Sequence, residues 1–184
     1  MKKLKVVLSL LLIAIVVLLG VATTRPDSFH VERSSDIKAS PQKIFESISD
    51  FHKWRSWSPW EDIDPAMKRS YSGPASGTGT AYMWEGNLKV GTGRMEIVDS
   101  AAPSQVVIRF DYLKPISMSS TVAFVLADTA GVTHVTWSLD GSNSFLMKVV
   151  SIFMDMDKIM GKDFEAGLAK LKAISEQLVL QADQ

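Results

Sequence analysis

The sequence predicts an α+β fold in which a curved antiparallel sheet is wrapped around a long C-terminal α-helix. Two observations predict it: short β-type runs separated by turns between residues 67 and 139, and an amphipathic stretch over residues 146–178. A curved sheet must bury its concave face, and the last helix is the element large enough to cover it. A chain of 184 residues has room for one such domain.

The N-terminal segment is apolar and uncharged over residues 6–22 and follows three lysines. Seventeen residues nearly span a bilayer core, which indicates a membrane anchor. The small residues Gly20-Val21-Ala22 are also compatible with a cleaved signal peptide. We favour the anchor, in contact with the membrane through residues 4–22, because the run is long for a signal peptide. Both readings make residues 1–25 a targeting segment and place residues 26–184 as a domain outside the cytoplasm, in the periplasm if the chain is bacterial.

The strands and the first helix of the domain follow local signals. Apolar and polar residues alternate poorly over residues 29–37, which indicates an edge strand. Ser40-Pro41 before an apolar pattern predicts the start of a helix. Further β-type runs cover residues 78–85, 91–98, 105–112, 118–126 and 132–139, with turns at residues 73–74, 86–87, 102–103 and 130–131. This order predicts an antiparallel meander.

The C-terminal helix has one apolar stripe. At 100° per residue the stripe contains Leu146, Val149, Val150, Phe153, Met160, Phe164, Leu168, Leu171 and Leu178. An unbroken helix over residues 146–178 would be about 50 Å long, more than the width of such a domain, so we expect a break near Gly161. A single helix over a curved sheet leaves a gap, and this gap is the predicted site.

Several classes of site are disfavoured. Four basic residues precede residue 26, so the rest of the chain has four more acidic than basic residues and no basic run for nucleic acid. The absence of cysteine excludes disulfides, thiolate metal sites and a cysteine nucleophile. The three histidines lack metal-ligand spacing, and no nucleotide-binding motif is present. We therefore predict no metal, no cofactor and no defined catalytic residue.

The candidate ligand-binding residues are predicted to lie on the inner faces of the sheet and of the last helix. They are Trp84, Trp137, Phe153, Asp157, Met160 and Phe164. Alternation decides the face of the strand tryptophans, and if they face inward they either fill or line the gap. Trp54, Trp57 and Trp60 form either a packed hinge or an aromatic rim. Asp157 lies close to the centre of the stripe, so it is either a buried carboxylate with a raised pKa or, if the helix breaks before Gly161, a surface residue.

Motifs along the chain resemble a known family. They are Ser40-Pro41-x-x-Ile44-Phe45, Trp54-x-x-Trp57-Ser58-Pro59-Trp60, Gly77-Thr78-Gly79, Trp84-x-Gly86, Gly91-x-Gly93, Thr136-Trp137 and Gly161-Lys162-Asp163-Phe164-Glu165-x-Gly167-Leu168-x-x-Leu171-Lys172. Together, over about residues 29–176, they resemble the polyketide cyclase/dehydrase-like branch of the START-like (SRPBCC) superfamily. The resemblance implies a helix-grip fold with a deep apolar cavity under the C-terminal helix, and no single activity.

The resulting functional hypothesis is a membrane-tethered module that binds or transports a hydrophobic, lipid-like small molecule. One alternative is a cyclase or dehydratase that uses Asp157 or Glu85 as an acid or base in the same cavity. Another is an interaction module with a vestigial cavity. An enzyme requires at least two polar groups that converge in the cavity, a binder needs one or none, and an interaction module needs a collapsed cavity.

Overall fold

The structure is a computed structural model that describes the backbone of residues 2–182 and the side chains of residues 3–177. The helices are α1 (Lys2–Thr23), α2 (Pro41–Ile48), α3 (Phe145–Val150) and α4 (Met156–Ala182), with 3-10 turns at Lys53–Ser56 and Pro59–Asp62. The strands are β1 (Ser28–Ile37), β2 (Lys68–Ser72), β3 (Ala81–Glu85), β4 (Thr92–Ala101), β5 (Gln105–Lys114), β6 (Met118–Thr129) and β7 (Val132–Ser142).

The seven strands form one antiparallel sheet in the order β1-β7-β6-β5-β4-β3-β2. The meander from β2 to β7 and the position of β1 at a sheet edge confirm the predicted topology. Helix α4 packs against β1 and covers the concave face, as predicted. Strand β2 was not predicted, because its sequence is mostly polar and none of its side chains is fully buried.

Helix α2 begins where the Ser40-Pro41 signal indicates. Ser40 has an extended backbone, but its side chain makes no capping hydrogen bond, so the boundary depends on Pro41 at the first helical position. The apolar side of α2, with Ile44, Phe45 and Ile48, is buried in the core.

The C-terminal helical region breaks earlier than predicted. The break lies at residues 151–155, between α3 and α4, and Gly161 is inside α4. Within α4 the predicted stripe is confirmed, because Phe164, Leu168 and Leu171 are almost completely buried. The side chain of Leu178 lies outside the described residues. Before the break the stripe holds only in part, because Val150 is partly buried whereas Leu146 is half-exposed, and Phe153, inside the break, is 73% exposed.

Gly161 provides room for an arginine rather than a break. A Cβ atom at this position would lie 2.0 Å from Nη2 of Arg33, so only glycine lets the β1 guanidinium lie against α4. Arg33 donates to both carboxylate oxygens of Asp157, at 2.9 and 3.1 Å, and to Glu165 Oε1 at 2.8 Å. Arg33 therefore links the edge strand to the first turns of α4.

Helix α1 is long and apolar enough to cross a membrane, by length and composition, and a signal sequence would have the same properties. Most of its described side chains are exposed, but Leu18 is partly buried and Ala22, near the C-terminal end, is fully buried. Helix α3 packs against α1.

Candidate ligand-binding cavity

A cavity of about 470 Å³ lies between the concave face of the sheet and the C-terminal helices. The sheet contributes Tyr82, Trp84, Met95, Phe110, Tyr112, Val122, Trp137 and Leu139. The loops and 3-10 turns contribute Trp54, Ser58, Trp60, Glu61, Ile63, Met67, Leu88, Lys89, Val90, Pro115 and Ile116, and Met118 at the start of β6 adjoins them. The C-terminal helical region contributes Met147, Val150, Met154, Met156, Ile159, Met160, Asp163 and Phe164.

One wall of the cavity is an aromatic contact between sheet and helix. The Trp137 indole of β7 stacks on the Phe164 ring of α4, with ring centres 4.1 Å apart and planes 8° apart. Gly167, one helical turn further, allows this contact, because a Cβ there would lie 2.8 Å from Cζ3 of Trp137. Gly167, part of the motif over residues 161–172, therefore allows α4 to pack closely on the Trp137 indole.

A second aromatic row follows the neighbouring strands. Trp84 stacks between Tyr82 and Phe110, with ring centres 5.8 and 5.7 Å away. A Cβ at Gly93 would lie 2.3 Å from Cζ2 of Trp84, so the indole fits across β4 only because residue 93 is glycine. These rings give the cavity a rigid, largely apolar surface.

The tryptophan N–H groups differ in how they are satisfied. Trp54 donates to Ile48 O at 2.8 Å, Trp57 to Ser47 O at 3.1 Å, and Trp84 to Val90 O at 3.0 Å. Nε1 of Trp137 is buried and has no hydrogen-bond partner among the described side chains and backbone. A buried donor without an acceptor costs about 1–3 kcal/mol, so this indole offers a hydrogen bond to any acceptor that reaches it.

The buried carboxylate in the wall is Glu61, which is only 8% exposed. Arg69 donates to its Oε2 through Nε at 2.8 Å and Nη2 at 2.7 Å, and the Tyr82 hydroxyl donates to its Oε1 at 3.0 Å. Burial and the nearby Glu61 charge raise the pKa of Tyr82, so the phenol stays protonated as a donor. This pair is internally satisfied and presents no free charge to a ligand.

A second carboxyl group in the wall, Asp163 on α4, is half-buried. Burial raises the pKa of Asp163 above its ordinary value, and a hydrogen bond with the Trp60 side chain partly offsets the rise. Unlike Glu61, Asp163 has no ion-pair partner among the described residues. It is the more available of the two carboxyls for contact with a ligand.

The six predicted ligand-binding residues separate into two groups. Trp84, Trp137, Met160 and Phe164 lie in the cavity wall. Phe153 lies in the turn between α3 and α4 and projects outward, because the helix break removes it from the stripe.

Asp157 is also outside the cavity wall. Its side chain is 53% exposed, and the hydrogen bond from Arg33 lowers its pKa, so of the two alternatives considered for Asp157 the structure has the surface residue after a helix break and not the buried carboxylate. Asp157 shares α4 with Phe164, but in the first turn of this helix its side chain pairs with Arg33 of the edge strand β1 and does not reach the cavity. Glu85, the other suggested acid or base, is exposed on the face of β3 opposite to Trp84.

The tryptophan cluster combines both roles considered for it. Trp57 is completely buried and packs the hinge, whereas Trp54 and Trp60 also reach the cavity wall. Sequence reasoning missed Glu61, Tyr82 and Asp163. Alternation with Trp84 places Tyr82 on the inner face, but a 3-10 turn has no periodicity that would have revealed Glu61.

The sheet, the covering α4 helix and the cavity between them define a helix-grip protein. The family model for polyketide cyclase / dehydrase and lipid transport matches residues 28–176, and the chain belongs to this family. The family and the apolar cavity support binding of a hydrophobic ligand in general terms. No curated protein sequence matches the chain.

Solved structures share the fold at low sequence identity. An uncharacterized protein from Rhizobium leguminosarum has a TM-score of 0.58 and 12% identity, covering 82% of this chain and 97% of that chain. Ginseng major latex-like protein 151 from Panax ginseng has a TM-score of 0.56 and 12% identity, covering 82% of this chain and 99% of that chain. The Aha1 dimer from Colwellia psychrerythraea has a TM-score of 0.54 and 18% identity, covering 80% of this chain and 96% of that chain. At these identities the similarity establishes the fold alone.

Proposed function

We propose that this protein binds or transports a lipid-like small molecule in the cavity between the sheet and the C-terminal helices. The observation that carries the proposal is the open, mostly aromatic and methionine-lined cavity of about 470 Å³. This volume lies within the range of about 300–1,000 Å³ that is usual for small-molecule sites. Methionine side chains, which line the helical side, conform to flexible apolar chains.

The polar groups in the wall define what the ligand carries. Glu61 is already paired, so a cationic ligand finds no free buried carboxylate there. The indole N–H of Trp137 is unpartnered within the described residues and suits a ligand oxygen such as a carbonyl, ester or hydroxyl. The ligand class that fits this wall is therefore a mainly apolar molecule, and an oxygen on it that reaches the Trp137 indole would satisfy this donor.

The enzymatic alternative now depends on a different residue. Asp157 and Glu85 lie outside the cavity, whereas Asp163 is in its wall with a raised pKa, as an acid catalyst would need. Apart from the exposed Lys89 and the Tyr112 phenol, whose pKa is raised by burial, no second unpaired acid or base accompanies it among the described wall residues. This favours binding over catalysis. The open cavity argues against an interaction module with a vestigial cavity.

The decisive experiment is ligand capture by the full chain in lipid nanodiscs. Native mass spectrometry with solvent extraction identifies a co-purified molecule, and the fluorescent probe N-phenyl-1-naphthylamine measures binding through energy transfer from the cavity tryptophans. Met160→Trp fills the cavity and should weaken probe binding at least tenfold. Lys162→Trp, on the exposed side of the same helix, should leave it unchanged. Equal binding by the two variants, or no binding by the parent, would refute the proposal.

We further propose that α1 stays as a membrane anchor with the domain outside the cytoplasm. The burial of Ala22, at the possible cleavage site, supports the anchor, and the preceding lysines support the orientation. The intact mass of the membrane-extracted protein should include residues 1–25. A reporter active only in the cytoplasm should stay silent when fused after Gln184, and an active reporter would reverse the orientation.

A further inference from the structure

We infer that the segment over residues 145–156, comprising α3, the α3–α4 turn and the first residue of α4, inserts into the surface of the bilayer that α1 crosses, so that the cavity opens toward lipid. We call it the docking segment. This inference rests on the proposed function, because it takes α1 as a membrane anchor and the cavity as the ligand site.

The docking segment is held next to the membrane-proximal end of α1. Helix α3 packs against α1, and Asn143, just before α3, donates its backbone N–H to Asp27 O at 2.8 Å and its Nδ2 to Pro26 O at 3.2 Å. Lys148 on α3 forms an ion pair with the Asp27 carboxylate. Since only a few residues separate α1 from β1, these contacts place α3 where the anchor leaves the bilayer.

The outer side of the docking segment is apolar and exposed. Phe153 is 73% exposed, and Phe145, Leu146 and Met154 are each exposed by about half. Contiguous large apolar side chains on a surface mark an interaction site. Each square ångström transferred from water is worth about 25 cal/mol, so partition of these side chains into lipid is favourable. The membrane is the occupant that the adjoining α1 helix supplies.

The inner side of the same segment borders the cavity. Met147, Val150, Met154 and Met156 are part of the cavity wall. Met154 is both exposed and part of this wall, so the segment separates the cavity from the outside by one layer of side chains. A flexible methionine layer next to lipid gives an apolar ligand a route from bilayer to cavity without crossing water.

The test uses the absence of cysteine from the chain, which makes any introduced cysteine a unique label position. The full chain with Phe153→Cys carries an environment-sensitive nitrobenzoxadiazole label and is placed in phosphatidylcholine nanodiscs that contain nitroxide-labelled lipid. Thr129→Cys is the control, because it lies at the opposite end of β6–β7, about 35 Å along the strand from α3. Both positions are exposed, so both variants should melt like the parent.

We expect lipid nitroxides to quench the label at residue 153 at least fivefold more strongly than the label at residue 129, while aqueous iodide quenches in the reverse order. Equal iodide quenching at the two positions would overturn the inference. A label at residue 153 shielded from both quenchers would also overturn it, since that pattern means burial against a second copy of the chain.

The same samples separate the inference from the proposed function. Naphthylamine binding without lipid quenching at residue 153 would refute membrane docking of residues 145–156 and would still support the ligand site. Lipid quenching without naphthylamine binding would support membrane docking of residues 145–156 and would refute the proposed ligand site.

Discussion

The indole of Trp137 lies parallel to the phenyl ring of Phe164 at a centroid distance of 4.1 Å, and this stack joins β7 to α4. Both rings are almost completely buried, and both are also part of the cavity wall. The same contact therefore fixes the covering helix on the sheet and shapes the site. Changes at this contact should affect stability and ligand binding together.

Phe164→Ala should destabilise the protein by about 3–5 kcal/mol, because it removes a buried ring and leaves an enlarged cavity. The matched control is Lys162→Ala, since Lys162 is exposed on the same helix and forms no ion pair with the described residues. Urea unfolding of the full chain, followed by near-UV circular dichroism, measures both variants. Similar losses in the two would contradict the assigned phase of α4.

Gly161→Ala tests the link between β1 and α4. Helix propensity alone predicts that alanine stabilises a helix interior by about 1 kcal/mol relative to glycine. The structure predicts the opposite sign, because the new Cβ would occupy the position of the Arg33 guanidinium. We expect a lower melting temperature for Gly161→Ala. The melting temperature of the double variant Arg33→Ala/Gly161→Ala should be no lower than that of the less stable single variant. Stabilisation by Gly161→Ala would show that Arg33 does not depend on this gap.

The fold was largely predictable because local signals agree with the final topology. Alternation, turn residues and the apolar stripe of α4 each indicate the element that forms. Strand β2 escaped because its burial comes from pairing with β3 and not from an apolar pattern. The sequence predicted the break at Gly161 instead of at residues 151–155. A glycine in a helical pattern indicates either a break or a close contact, and the contact with Arg33 becomes visible only in the structure.

The site was predictable where an element continues regularly and unpredictable where it does not. Trp84, Trp137, Met160 and Phe164 follow from strand alternation and the α4 stripe. Phe153 was misplaced because the helical wheel was carried across the break, whereas Asp157, in the first turn of α4, pairs with Arg33 of the edge strand and does not reach the cavity. The pair of Glu61 with Arg69 depends on two irregular segments that meet only in three dimensions, so no spacing in the sequence encodes it.

Trp137→Phe tests the unpartnered indole N–H. The substitution keeps an aromatic ring against Phe164 but removes the donor, so ligands that carry an acceptor oxygen should lose affinity. The ketone probe 6-propionyl-2-dimethylaminonaphthalene should bind about 2- to 13-fold more weakly, as expected for the loss of one hydrogen bond of about 0.5–1.5 kcal/mol. N-phenyl-1-naphthylamine, which has no carbonyl, should change less than twofold. Equal losses for the two probes would indicate a packing effect and not a lost donor.

Asp163 should give the protein a distinctive dependence of stability on pH. Burial raises the pKa of its carboxyl above 3.8, so the folded state holds a proton that the unfolded state has released. The free energy of unfolding should therefore fall as the pH rises from about 3.8 through the raised pKa, with a slope of at most about 1.4 kcal/mol per pH unit for one proton. Asp157 acts in the other direction and in another window. Its pKa is lowered, so its contribution is present above 3.8 and is lost as the pH falls below this value.

Because the two windows do not overlap, two variants can separate them. Asp163→Asn keeps the shape of the side chain and cannot ionise, so the difference in unfolding free energy between the parent and this variant should decline with pH only above about 3.8. Asp157→Asn should give a difference that changes only below 3.8. Urea titrations from pH 2.5 to about 6 measure both and stop before His30 titrates, since its hydrogen bond with Asp140 raises the pKa of His30 above 6.5. A flat or rising difference curve for Asp163→Asn above pH 3.8 would show that this carboxyl is solvated in the folded protein, and an acid role for it would then lose its physical basis.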